Sequence, residues 1–267
     1  MFSDGLLTPQ ELIDHALEAG LSGLSITDHD NIAAYHNMKE LKGLDSLKLL
    51  PGVELSCRHK DRSIHVLCYA FKEDNAILEE FSLKHKERRR CRNIAIMQAL
   101  AGLGIRLSAE EVMEFSGVEN KDFWGRSHIA RALVAKGVVK DIKSAFREYL
   151  GDGCPAFRSL YAFSVEETID TIHRAGGKAV LAHPHIIKNR AIVNDLFKLK
   201  FDGVEGYYAH FSADQEQRWL DLANKHGLFI TGGSDFHGSY IKHNRLGSSW
   251  ASKETFDMLW NHYCNQK

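Results

Sequence analysis

Acidic and imidazole side chains stand where apolar runs stop. Asp28-His29-Asp30 follows the run Leu21–Thr27, and Glu54 comes just after the Pro51-Gly52 break. His65 lies within Ser63–Phe71, His183 follows Lys178–Ala182, and Asp235 and His237 follow Leu228–Thr231. A lone His at such a place is more often a packed or surface residue. Packing, however, gives no reason to repeat His, Asp and Glu after one apolar run after another. Burying them unpaired is costly, and a bound ion removes that cost. Mixed imidazole and carboxylate donors without Cys suit zinc, manganese or iron in a site of more than one ion. A carboxylate such as Glu54 can bridge two ions. Such a pair activates water near neutral pH and clamps the attacking and leaving oxygens of a phosphoryl group.

Side chains this far apart in sequence meet only if their strands end in one place. Short apolar runs alternate with helical patterns, which predicts a parallel sheet, open or closed. Thr8-Pro9-Gln10-Glu11 and Ser164-Val165-Glu166-Glu167 are capping boxes that open helices, the first ending near Gly20. A further helix is expected around Ala33–Leu41. Val53–Cys57 and Ser63–Phe71 read as two strands that could form a hairpin. Gly203–Tyr207 reads as another strand, with a helix after Ser212. In βα barrels, side chains at the C-terminal strand ends converge on one mouth, where the active site lies. From Asn75 to about Ala156 the pattern is helical throughout, with a capping box at Ser108-Ala109-Glu110-Glu111. This predicts a helical insertion, residues 76–156, within a barrel made of residues 1–75 and 157–267. The insertion is expected to lie over the active-site mouth.

The 267 residues fit one sizeable domain with a subdomain, and the net charge of -1 argues against a long nucleic-acid footprint. Within that balance the run Lys84–Arg92 is strongly basic, most simply a solvated helix face. No apolar run approaches the ~20 residues needed to span a bilayer, and no signal peptide is visible. The five cysteines are scattered and form no C-x-x-C pair. A reduced, cytoplasmic setting is therefore expected.

Six segments in order carry a resemblance. Ser3-Asp4-Gly5, Ile26-Thr27-Asp28-His29-Asp30, Pro51-Gly52-Val53-Glu54, Ile64-His65-Val66-Leu67, Ala182-His183-Pro184 and Gly233-Ser234-Asp235-Phe236-His237 together resemble the PHP (polymerase and histidinol phosphatase) family. The likeness is strongest to its branch of nucleoside-phosphate phosphatases and 5′-3′ exoribonucleases. It covers nearly the whole chain, including Gly125-Arg126-Ser127-His128 in the insertion. It implies an α/β fold, a distorted (β/α)7 barrel with an inserted helical subdomain, and two or three divalent metal ions (manganese, zinc or iron). By resemblance Asp4, His29 and His237 would hold one ion, and Glu54, His65 and His183 the second. Glu54 and Asp235 would share the third with a His-x-His pair from the family's first strand. The chain begins at Met1, two residues before Ser3, so that pair has no counterpart here, and a start further upstream is the expectation. Arg126, His128 and His210 resemble the family's substrate-side residues, a guanidinium being suited to phosphate. Asp235 and His237 are the candidates for moving protons. The expected substrate is a nucleotide or short oligonucleotide. The alternatives are a small-metabolite phosphatase, such as one acting on histidinol phosphate, and a metal-binding module without catalysis.

Overall fold

The computed structural model describes residues 5–60, 62–116, 124–158, 163–238 and 244–266. Asp4 lies outside them. The chain divides into two compact units, Gly5–Phe81 with Phe163–Lys267, and Ser82–Ala162.

In the first unit, α1 (Pro9–Glu18) opens on the Thr8 capping box. Thr8 Oγ1 accepts from the Glu11 amide, and Glu11 accepts in return from the Thr8 amide at 2.7 Å. After Gly20, at φ +74°, the chain turns into β1 (Gly23–Leu24), which pairs in parallel with β2 (Lys48–Leu49). The helix expected over 33–41 is instead two single 3₁₀ turns, Ala33–Tyr35 and Met38–Glu40. Asn37, at φ -112°, breaks the run between them. Tyr35 turns inward instead: its hydroxyl accepts from the Ile26 amide at 2.9 Å and lies 2.7 and 3.0 Å from the carbonyls of Ile26 and Leu50. β3 (Gly52–His59) and β4 (Arg62–Tyr69) form the hairpin, with His59 opposite Arg62 and Gly52 opposite Tyr69.

The second unit is helical. It begins within α2 (Ala76–Gly102) and continues through α3 (Ala109–Ser116), α4 (Arg126–Ala135), α5 (Ile142–Ala145) and a π turn, Phe146–Leu150. Ser108 and Glu111 cap α3 reciprocally, at 2.8 and 3.1 Å. Ile96, Leu100, Val112, Ile129, Leu133 and Leu150 fill the core of this unit.

The first unit resumes with α6 (Val165–Arg174), capped by Ser164 and Glu167. Then follow β5 (Lys178–Leu181), α7 (Arg190–Leu196), β6 (Gly203–Tyr208), α8 (Ala213–His226), β7 (Phe229–Gly233) and α9 (Lys253–Cys264). The sheet order is β3-β4-β5-β6-β7. Within this five-stranded sheet the expected parallel pairing holds for β5, β6 and β7, and it holds for the separate β1–β2 pair. β4 runs antiparallel to both β3 and β5; toward β3 this follows from the short connection between His59 and Arg62, which returns the chain antiparallel. Beyond β1 the segment Asp28–Asp30 runs along β3, with the Asp30 amide donating to the Glu54 carbonyl at 2.8 Å and the Glu54 amide to that of Asp28 at 3.1 Å. This is an α/β fold. Among the described residues, no strand pairing closes the sheet into a ring, and no helix is long and apolar enough to cross a membrane. Leu50, Leu67, Val180 and Ala182 pack with Leu259 and Tyr263 of α9, so the strands end against a rigid core.

Candidate metal centre

Glu54 is the anchor of the site. The neighbouring Val53 and Leu55 are buried, and the alternation of β3 turns the carboxylate to the other face, where it is only 7% exposed. One oxygen, Oε1, lies 2.7 Å from His65 Nδ1 and 2.8 Å from His183 Nε2. The other, Oε2, lies 3.6 Å from His29 Nδ1. The two imidazole nitrogens of His65 and His183 are 3.2 Å apart. The rings of His29 and His65 meet edge to face at 4.9 Å, and those of His65 and His183 at 5.1 Å. Three histidines from three places in the sequence thus converge on one carboxylate.

Each ligand leaves the sheet by a specific local device. His29 sits on the segment that bridges to β3. His65 is in β4, opposite Ser56. His183 stands just past β5 at φ +28°, and its amide donates to Glu205 Oε2 at 2.7 Å. Asp235 and His237 lie just past β7. Asp235 is at φ +49°, and its carbonyl is 2.8 Å from His237 Nδ1. Asp30, also at positive φ, is a support: its Oδ1 accepts from the Ser56 amide at 2.6 Å.

The electrostatics follow from burying one carboxylate among three imidazoles. Burial pushes the Glu54 carboxyl up, but His29 and His65 nearby and the hydrogen bonds from His183 and His65 outweigh it and hold it well below the usual range. Burial pushes His65 down, against the pull of Glu54, which leaves a neutral ring. Burial also opposes charge on His183. There the hydrogen bond and charge of Glu54, with Glu205 and Asp235, win and hold it up at about 9. Glu205 is raised to about 7, first by burial and then by Asp235 and Glu54, with His183 opposing. His185 is lowered to about 4 by burial and by the charge on His183.

The donor set fits a divalent ion. Ligand atoms bound at 2.0–2.2 Å sit about 3 Å apart around one ion, which is the spacing of Glu54 Oε1, His65 Nδ1 and His183 Nε2. The ligating atoms of His29, Glu54 and His65 also all lie within 4.8 Å of one another. A positive ion would compete with protonation of His183, which Glu54 favours.

The other sequence-derived residues fall elsewhere. His210, half a turn beyond β6, has Nε2 3.0 Å from Asn244 Oδ1, and Asn244 Nδ2 donates to the Asp235 carbonyl at 3.1 Å. Arg126 and His128 belong to the second unit. The Arg126 guanidinium lies over Phe146 and Phe157 and donates to the Leu150 carbonyl at 3.3 Å. His128 is buried, and its Nδ1 accepts from the Gly125 amide at 3.0 Å, closing the start of α4. Sequence reading missed Glu205 and Asn244. Glu205 follows Gly203-Val204 as Glu54 follows Gly52-Val53, each the third residue of its strand. Asn244 carries no such signal.

The family model described as PHP domain matches residues 1–151, more than half of the chain. The 5′-3′ exoribonuclease Rnm of Salmonella typhimurium is 32% identical, over 88% of this chain and 82% of its own length. A 3′,5′-nucleoside bisphosphate phosphatase of Chromobacterium violaceum is 31% identical, over 88% of this chain and 84% of its own. A solved structure from Bifidobacterium adolescentis, titled a metal-dependent phosphoesterase, superimposes with a TM-score of 0.85 at 29% identity, covering 98% of this chain and 93% of that one.

Proposed function

The chain belongs to the PHP domain family and is a metal-dependent phosphoesterase, and from that premise we propose that it hydrolyses phosphate esters of nucleotides or short oligonucleotides. The observation that carries the reading is the convergence of His29, His65 and His183 on the Glu54 carboxylate. The names of the exoribonuclease and bisphosphate phosphatase relatives support the substrate class. We place two or three ions of manganese, zinc or iron at this centre, in a distorted (β/α)7 barrel, and the enzyme in the cytoplasm.

When bound, such ions supply Lewis acidity toward the phosphate oxygens and lower the pKa of water. The chain's own residues do the rest. Glu54, His65, His183 and His29 hold the ions, with Asp4, Asp235 and His237 completing the set. The contact between His237 Nδ1 and the Asp235 carbonyl makes Nδ1–H a donor and assigns Nε2 to ligation. The Asp235 side chain is 42% exposed and takes the proton from the attacking water and delivers it toward solvent or the leaving oxygen. By resemblance Arg126, whose guanidinium lies over two aromatic rings, is the candidate for binding phosphate, and His128 and His210 are the other substrate-side candidates.

The test is metal content and turnover in His29→Ala and His183→Ala. Both should lose bound metal and fall by about a hundredfold or more in hydrolysis of a 5′-phosphorylated dinucleotide and a 3′,5′-bisphosphonucleotide, with folding retained. Full turnover in both variants would refute the site.

A further inference from the structure

Past the metal centre, β6 ends in an aromatic cluster that no ligand role uses. Tyr208 and His185 lie 4.5 Å apart between ring centroids at 38°, His185 and Phe211 are 4.9 Å apart, and Tyr208 and Phe211 are 5.5 Å apart. All three rings are only half-buried. Half-exposed aromatic side chains grouped together are costly to leave in water and mark a surface that a flat apolar partner covers.

The cluster is tied to the centre by chain and by hydrogen bond. His185 is two residues from His183, a span of at most about 7 Å. Asn244 donates to the Asp235 carbonyl and faces His210, with the Tyr208 hydroxyl 3.5 Å from its Nδ2. A register shift in β6 aims the ring. Glu205 pairs with Thr231, but Tyr207 pairs with Gly232 and Tyr208 with Gly233. Thr231 and Gly233 share one face of β7, so Tyr208 shares the face of Glu205. Strict alternation would place it on the opposite face.

We propose that Tyr208, Phe211 and His185 form a stacking shelf for a nucleobase of the substrate whose phosphate is held at the metal centre. The proposal rests on the nucleotide reading above. Stacking is tolerant of base identity, since every base has a π face. The shelf therefore confers a preference for nucleotides over sugar phosphates without selecting one base.

The probe is adenosine, which carries no phosphate, titrated into the full-length protein and followed by ligand-detected NMR. Tyr208→Leu should weaken adenosine binding by about five- to a hundredfold, the range for losing one base–aromatic stack, and Tyr208→Phe should restore it. In parallel, the ratio of kcat/KM for adenosine 5′-monophosphate over ribose 5-phosphate should collapse in Tyr208→Leu and persist in Tyr208→Phe. Equal adenosine affinity in wild type and Tyr208→Leu, no adenosine binding by wild type, or failure of Tyr208→Phe to restore binding would each overturn the shelf. Absence of phosphate release from every ester would instead refute the functional reading, and the adenosine titration would still decide the shelf.

Discussion

Removing one hydroxyl at Tyr35 should loosen the metal centre without touching it. The ring is 1% exposed, and its oxygen accepts from the Ile26 amide and donates to the carbonyl of Ile26 or Leu50. Ile26 lies three residues before His29, and Leu50 four before Glu54, so one hydroxyl clamps the two segments that present both ligands. Tyr35→Phe keeps the ring and its packing, so no cavity cost enters. It strands the buried Ile26 amide, at about 1–3 kcal/mol, and loses the donated bond, worth about 1 kcal/mol. The total is about 2–4 kcal/mol. For a chain of this length each kcal/mol lowers Tm by about 2 °C, so the expected fall is about 4–8 °C by circular dichroism. Manganese affinity, measured by titration on folded protein, should drop about tenfold, the lower end of losses on removing a group that supports a ligand. A Tm within about 1 °C of wild type would mean that solvent replaces the hydroxyl. A lowered Tm with unchanged metal affinity would refute the link to His29 and Glu54.

With His183 held up at about 9, an ion must displace a proton below that pH. Metal affinity should therefore rise with pH up to about 9, with proton release visible by calorimetry in two buffers; a flat profile refutes this. The metal-free protein should respond in the opposite sense. His183 and Glu205 both have raised pKa values, so the stabilisation present when they are protonated is lost as pH rises through about 7 and then 9, and Tm should fall over that window. Burial pushes the Cys57 and Cys68 thiols well above their ordinary range, whereas Cys91 and Cys264 are exposed. A thiol reagent should react quickly with the exposed pair in the native state and with all five cysteines after unfolding; rapid native labelling of Cys57 would contradict the fold. Arg126→Ala should raise KM for a nucleotide about tenfold with little change in kcat, and an unchanged KM would remove Arg126 from the substrate contacts.

The helix starts were legible because capping is local chemistry: Thr8, Ser164, Ser108 and Ser212 each close a reciprocal pair of bonds within four residues. The convergence of His29, Glu54, His65 and His183 was legible because His, Asp and Glu recur beside one apolar run after another, which packing does not explain; yet only His29 and His183 follow their runs, while Glu54 and His65 lie inside β3 and β4. Strand direction was not. Alternating runs look alike whether a strand runs up or down, and only the short His59–Arg62 connection marks the antiparallel pair. The loss of the 33–41 helix was hidden for another reason. Its apolar positions fit a helix, but the Tyr35 hydroxyl finds three backbone groups on β1 and β2 flanks that no periodicity reveals. Glu205 escaped notice although it repeats the Gly-Val-Glu setting of Glu54, because its contact with the His183 amide is made only in the fold.

Of the five non-glycine residues with a left-handed backbone among the described ones, three lie at the candidate centre: Asp30, His183 and Asp235, at φ +56°, +28° and +49°. Each conformation costs on the order of 1–3 kcal/mol and persists only where surroundings enforce it. The enforcing bonds are visible. Ser56 donates to Asp30, His183 donates to Glu205, and the Asp235 carbonyl accepts from Asn244 and meets His237. Glycine would relieve the strain at 183 and 235, but it has no donor atom to offer an ion. On the ligand assignment proposed above, holding a side chain there against the backbone preference would aim it before any ion arrives. On that assignment Glu205 and Asn244 act as positioning residues, since they bond to the turns that carry His183 and Asp235.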